Sequence, residues 1–164
     1  MDDFRIDIRT GASLFPTLAV AHGSRQVQLA LPDTPLLVKT LLHLAVAVIQ
    51  GSTVEDASLT KDSSWEEELR LLVELHDESI DLRIFAFPRP TEAATDQGEC
   101  RFWVIVERNA FLAAIHRATQ QVYANPGNYG YTQTALGSLF PITKYRRLQS
   151  WVHSMNEGRQ HEPV

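Results

Sequence analysis

Six histidines, one cysteine and a run of three glutamates are the residues of this 164-residue chain whose types invite a chemical reading. The histidines are His22, His43, His76, His116, His153 and His161. No two stand in His-x-x-x-His or His-Glu-x-x-His spacing, the arrangement that sets two imidazoles on one face of a helix, so a helical zinc pair is absent. His43 and His116 fall on expected helices beside apolar stripes, and each reads as a hydrogen-bonded structural histidine, because a lone ionisable group lacks the partner that acid–base catalysis needs. Cys100, the single cysteine, excludes an internal disulfide and a cysteine-based zinc site. It reads as an inert thiol of the small, buried kind. Glu66, Glu67 and Glu68 do not converge on a metal ion, because successive strand residues point to opposite faces. The chain has no Gly-x-Gly-x-x-Gly, no Walker-type Gly-Lys-Ser/Thr and no Gly-x-Ser-x-Gly. No catalytic residue, metal site or cofactor is assigned.

The elements that would carry these residues follow from periodicity. Phe4, Ile6 and Ile8 alternate with Arg5, Asp7 and Arg9, which predicts a strand with one buried face. Leu18–Ala21, the turn His22-Gly23-Ser24 and the alternation through Val27, Leu29 and Leu31 complete an N-terminal antiparallel meander. Asp33 or Thr34 caps a helix with Pro35 in its first turn; Leu37, Leu41, Leu44 and Val48 form its stripe, and Gly51 ends it. Residues 52–64 read as polar and turn-like, with short extended pieces. Leu69–Leu75 and Ile80–Phe85 alternate around Asp77-Glu78-Ser79, the clearest hairpin in the sequence. Pro88 and Pro90 stop it, and residues 88–98 form a polar loop. Phe102, Val104 and Val106 mark another strand, and Asn109 caps a helix that ends near Ala124, before the breakers Asn125-Pro126-Gly127-Asn128. Residues 125–140 are irregular, and Pro141 opens a short last helix. The expected architecture is a single α+β domain over residues 1–156. It has a mostly antiparallel sheet, two main helices on one face and a short C-terminal helix, with 157–164 as a flexible tail.

Composition narrows the function classes. At 44% hydrophobic and 21% charged the chain folds around a real core, which excludes disordered and fibrous readings. The longest strongly apolar stretch, Leu41–Ile49, contains His43 and is too short to span a bilayer. The acidic start Met1-Asp2-Asp3 is unlike a signal peptide, so a cytoplasmic location is expected, with no membrane partner. Net charge is −5. Residues 1–100 hold 8 Lys/Arg against 17 Asp/Glu, and residues 55–81 alone are at −8. That field repels nucleic acid and attracts a basic partner, or it simply keeps a surface solvated. Lys144, Arg146 and Arg147 are too few to make a nucleic-acid binder.

The strand phase yields one surface. Leu69, Leu71, Val73, Leu75, Leu82, Ile84, Phe102, Val104 and Val106 face the helices. Arg70, Leu72, Glu74, His76, Asp81, Arg83, Phe85, Phe87, Trp103 and Ile105 then face outward, large aromatics among charges, as at a protein interface. Two outcomes stand open: that face is exposed, or the C-terminal segment with Tyr129, Tyr131, Phe140 and Trp151 folds over it.

Several pieces then look familiar together: the helix Leu41–Gly51, Ser64-Trp65-Glu66-Glu67-Glu68, the hairpin end Leu82–Phe87, the strand-to-helix run Phe102–Tyr123, Gly130-Tyr131, Gly137 and Phe140-Pro141. The layout, over roughly residues 30–150 of one domain, resembles small bacterial proteins that include immunity proteins of polymorphic or contact-dependent toxin systems. The resemblance implies a non-catalytic inhibitor that binds one cognate toxin domain. A basic nuclease suits the acidic surface, since nucleases that grip phosphate are basic. On this reading Glu66, Glu67, Glu68, Glu74, Asp77, Glu78 and Asp81 supply charge, and Trp65, Phe85 and Trp103 supply anchors. Two alternatives are a hydrolase or transferase with a site assembled from His76, Glu74, Arg83 and Cys100, and a homodimeric adaptor or chaperone that buries the aromatic face.

Overall fold

The computed structural model describes residues 3–10, 15–60, 65–131 and 139–160. Residues 61–64, the 132–138 part of the expected irregular segment and the 161–164 part of the expected tail lie outside the described residues.

The alternating N-terminal residues form β1 (Phe4–Arg9), β2 (Thr17–His22) and β3 (Arg25–Ala30), an antiparallel meander in the order β1-β2-β3. Helix α1 (Thr34–Ile49) follows. Asp33 caps it: its carboxylate accepts the Leu36 N–H at 2.7 Å. Gly51 stops it at φ +81°, a left-handed turn in which its N–H reaches the Val48 carbonyl at 3.0 Å. Four further strands, β4 (Val54–Ser58), β5 (Glu68–His76), β6 (Ser79–Phe87) and β7 (Glu99–Glu107), pair antiparallel in sequence order. Helix α2 (Arg108–Ala124) leaves β7 without a turn, and α3 (Ile142–Gln160) closes the chain.

The α+β class and the antiparallel pairing are as expected. Three details differ. The strands form two sheets, of three and four strands, rather than one. Both contribute inner faces to one core, in which Phe4 of β1 stacks on Phe111 of α2 with ring centroids 6.2 Å apart. The last helix is long, at 19 residues. Tyr145, Leu148 and Val152 bury its stripe against α1 and α2, and Met155 carries the contact a turn further, so the polar residues beyond it stay helical on the solvent side. Asn109 does not cap α2, since Glu107 holds that position. The helix start is set instead by the Arg108 N–H donating to the Glu78 carbonyl at 2.7 Å.

The C-terminal aromatics do not cover the outer sheet face. Tyr131, Phe140 and Tyr145 pack with one another and with Tyr123 of α2, on the helical side. His116 is buried there and stacks on Tyr145 at 5.8 Å. Its Nε2 has no hydrogen-bond partner, so packing rather than hydrogen bonding holds it, and burial, then His153 and Arg117, lowers its pKa. No described helix is long and apolar enough to cross a membrane.

Candidate functional site

The phase of the hairpin sets the outer face of the four-stranded sheet. Directly paired residues share a face, so the register lays Val54, Glu74, Asp81 and Ile105 in one row across the sheet, and Asp56, Leu72, Arg83 and Trp103 in the next. A third row holds Ser58, Arg70 and Phe85, then Cys100 after a shift in register between Ile84 and Phe85. The inward set is buried, as the alternation requires, apart from Leu75, which is only partly so.

One end of this face is closed. Leu72, Phe85 and Phe87 form a small second core against Ala93 of the loop between β6 and β7. Arg70 holds that loop down. Its guanidinium donates to both Glu68 oxygens at 2.8 and 3.1 Å, to the Ala93 carbonyl at 2.6 Å and to the Thr91 carbonyl, and stands 4.5 Å from the Phe87 ring centre. The Thr91 N–H donates back to Glu68 at 3.0 Å, and the Thr95 hydroxyl donates to Asp56. Glu68 and Arg70 are only 12% and 11% exposed. The hydrogen bonds from Arg70, opposed by burial and helped by the Thr91 N–H, hold the Glu68 carboxyl below the ordinary glutamate range.

The other end is open. Trp103 is 48% exposed and Ile105 58%. Arg83 donates to both Asp81 oxygens at 3.0 and 2.8 Å, stands 3.8 Å from Glu74, and lies 5.4 Å from the Trp103 ring centre. Arg25 of β3 donates to the Trp103 carbonyl at 2.8 Å, so the meander fixes the strand beneath the indole. Asp77 and Glu78 project from the hairpin turn, where Asp77 takes φ +52°, a conformation aspartate tolerates. Glu78 pairs with Arg108 at 3.3 Å.

The expected site residues therefore divide. Glu74, Asp77, Glu78 and Trp103 share the open end; Asp81 lies among them but is buried, with both oxygens taken by Arg83. Phe85 does not serve as an anchor: it is 5% exposed, because the loop expected to be a simple polar connection folds back over it. The glutamate triplet disperses, with Glu66 exposed, Glu67 paired to Arg101 at 3.0 Å and Glu68 locked to Arg70. Trp65 is half-buried and packs edge-on against Phe15 with centroids 5.0 Å apart. Cys100 is exposed rather than buried, since the register shift places it at the outer edge. Strand β4, which supplies Val54 and Asp56 to the face, lies in the stretch expected to be polar and turn-like with short extended pieces; its only strand signal is Thr53-Val54.

Two histidine–carboxylate pairs bear on acid–base chemistry. His76–Glu74 stands at 3.8 Å and His43–Glu55 at 3.6 Å, both beyond hydrogen-bond reach. Donor atoms of Glu74, His76 and Asp81 lie within 4.8 Å of one another, the density of a cation site. Arg83 already supplies the cation there, so a metal ion would have to displace a bidentate guanidinium.

No protein-family model matches the chain. No curated protein sequence matches it either. Among solved structures, a chain of the CdiA-CT/CdiI toxin and immunity complex from Enterobacter cloacae is similar, with a TM-score of 0.48 and 11% identity over 73% of this chain and 99% of that one. A likeness that slight says nothing of how this chain acts.

Proposed function

We propose that the chain is an immunity protein that acts in the cytoplasm, binds one cognate toxin domain, a basic nuclease, and neutralises it by covering the toxin's active site. One observation carries this reading: an exposed tryptophan and isoleucine on a rigid strand, set in an acidic surface. Among Glu74, Asp77, Glu78, Asp81, Arg25, Arg83 and Arg108, the carboxylates outnumber the guanidinium groups four to three. Such a surface steers a basic partner and raises the association rate, while the indole provides the desolvated anchor that holds it. Both sit on paired strands, so little order is lost on binding. A second copy of this chain fits the same face poorly, because face-to-face packing would bring the acidic rims together.

The test is recovery of partners of the tagged protein from its native cell lysate at low and moderate salt, compared with Trp103→Ala. Recovery of one basic toxin-like domain in near-equal amount, lost with Trp103→Ala and weakened by salt, is the expected result. Equal recovery by the variant would remove the Trp103 face from the interface. A salt-independent homodimer as the sole product would replace immunity with the adaptor reading.

A further inference from the structure

The four-stranded sheet ends at β4, and the hydrogen bonds flanking that strand reveal which of its backbone groups face outward. The Leu59 N–H donates to the Leu69 carbonyl at 2.8 Å, and the Leu75 N–H donates to the Thr53 carbonyl at 2.8 Å. With the register Val54↔Glu74 through Ser58↔Arg70, the odd residues of β4 bond to β5, so Val54, Asp56 and Ser58 aim their N–H and C=O groups away from the sheet. The Ser58 carbonyl is taken by the Thr40 hydroxyl of α1 at 3.4 Å. No described residue bonds to the outward groups of Val54 and Asp56. Val54 is 56% exposed. Beside the strand runs a groove of about 1000 Å³, with the Lys39–His43 side of α1 as one wall, the Pro90–Thr95 loop as the other and Asp56–Ser58 along its floor.

We propose that this edge is completed by an extended, basic segment of a partner protein, which adds as a further strand through the backbone groups of Val54 and Asp56. The chemistry of the edge selects that occupant. Strand addition draws its affinity from main-chain bonds and its selectivity from alternate side chains. Here the alternate positions next to β4 meet Asp56, which also accepts from the Thr95 hydroxyl, on the outer face and Glu55, 3.6 Å from His43, on the inner, with Glu92 on the loop wall; against these three carboxylates stands Lys39 on the α1 wall, the Arg70 guanidinium being engaged by Glu68. Lysine or arginine in the added strand answers those carboxylates, and an apolar residue answers Val54. A second copy of β4 is disfavoured by the same residues. Of the antiparallel registers centred on this edge, one sets Glu55 against its symmetry mate and the next sets Asp56 against its own, and like charges directly opposite destabilise a strand pair. This edge lies across the sheet from β7, which carries Trp103, and its test needs no toxin.

The experiment selects a displayed library of ten-residue peptides on the intact chain, then measures the winners against Val54→Pro and Val54→Ala. Proline removes an outward N–H and leaves the bonds to β5 in place, a substitution that edge strands accept. Alanine keeps the N–H and removes only an exposed side chain. Expected are peptides rich in Lys/Arg alternating with apolar residues. Val54→Pro should weaken them at least tenfold and Val54→Ala less than threefold. A folded Val54→Pro is confirmed by its melting temperature. Independently of that variant, amide exchange at Val54 and Asp56 of the unaltered chain should slow at least tenfold with peptide bound. Failure to select any peptide, selection without basic bias, equal binding to both variants, or unchanged exchange at the two amides would each overturn the proposal. So would self-association that Val54→Pro abolishes, which would make the occupant a second copy.

Discussion

The two ends of one sheet face carry similar residues and use them in opposite ways. At the closed end a glutamate, an arginine and three large apolar side chains are spent on the fold: Glu68 and Arg70 satisfy each other and the loop backbone, over Leu72, Phe85 and Phe87. At the open end Asp81 and Arg83 also satisfy each other, but the large apolar groups beside them, Trp103 and Ile105, remain in water. The difference lies in what covers each end. The loop of residues 88–98 is long enough to return over the third row of the face, and nothing in the described chain returns over the first. Paired charges therefore mean stability at one end and a preorganised rim at the other, and mutation separates the two.

The largest expected effect is at Arg70. Arg70→Met leaves the largely enclosed Glu68 carboxylate without its cation and releases the loop. Removal of one member of a buried pair is strongly destabilising; because the groove beside it admits water, about 2–4 kcal/mol is expected, a fall in melting temperature of about 5–12 °C. Thermal unfolding checks this. A change under about 1 °C would mean that the loop is held by its apolar contacts alone.

Next is Gly98. A Cβ there would lie 2.8 Å from the Phe87 ring and 3.1 Å from the Ala86 carbonyl. Gly98→Ala is expected to cost about 1–3 kcal/mol, the usual range for overpacking. Denaturant unfolding measures the cost, and added exposure of Phe87, seen as dye binding, locates it.

The same end should dominate one part of the acid response. Glu68 has a lowered pKa when folded, so it binds fewer protons in the native state than when unfolded, and its contribution is full above the unfolded pKa and fades as pH falls through the folded one. Glu68→Gln should therefore be less stable than the parent chain at pH 7. The gap should narrow below the ordinary glutamate range, where the parent loses the same interaction. Unfolding free energies across pH 7 to 3 decide it, and a constant gap would assign the effect to packing instead.

The alternation in Leu69–Leu75 and Ile80–Phe85 was enough to place both faces of the hairpin, because burial on one side imposes a period of two. So was the capping chemistry of Asp33 and Gly51. The division of the outer face was not legible. It depends on where the 88–98 loop lands, and its Pro, Thr, Ala and Gly residues carry no periodicity; the closure rests on carbonyls of Thr91 and Ala93 reaching Arg70, groups every residue has. Phe85 was misplaced for the same reason, and Cys100 because the register shift between Ile84 and Phe85 leaves no mark on the alternation. Strand β4 was legible only as short extended pieces in a polar stretch, because an edge strand of five residues, Val-Glu-Asp-Ala-Ser, buries too little to need an apolar pattern.

The smallest stability effect should be at Trp103, and there the comparison is sharpest. The indole is half in water, rests on the Arg83 guanidinium, and lends no side-chain atom to either core cluster. Its carbonyl, not its ring, anchors β3 through Arg25, and that bond survives truncation. Trp103→Ala should thus shift stability by about 0.5 kcal/mol or less, as at surface positions generally. For a toxin partner the same change should cost about 2 kcal/mol or more of binding, roughly thirtyfold in affinity, as for an aromatic anchor at an interface centre. Denaturant unfolding and a binding titration with the recovered partner separate the two numbers. A residue that stabilised the fold would lose in both, whereas one held exposed for a partner loses only in the second. If Trp103→Ala proved as costly to folding as Arg70→Met, the open end would be a second piece of core and the contrast between the two ends would fail.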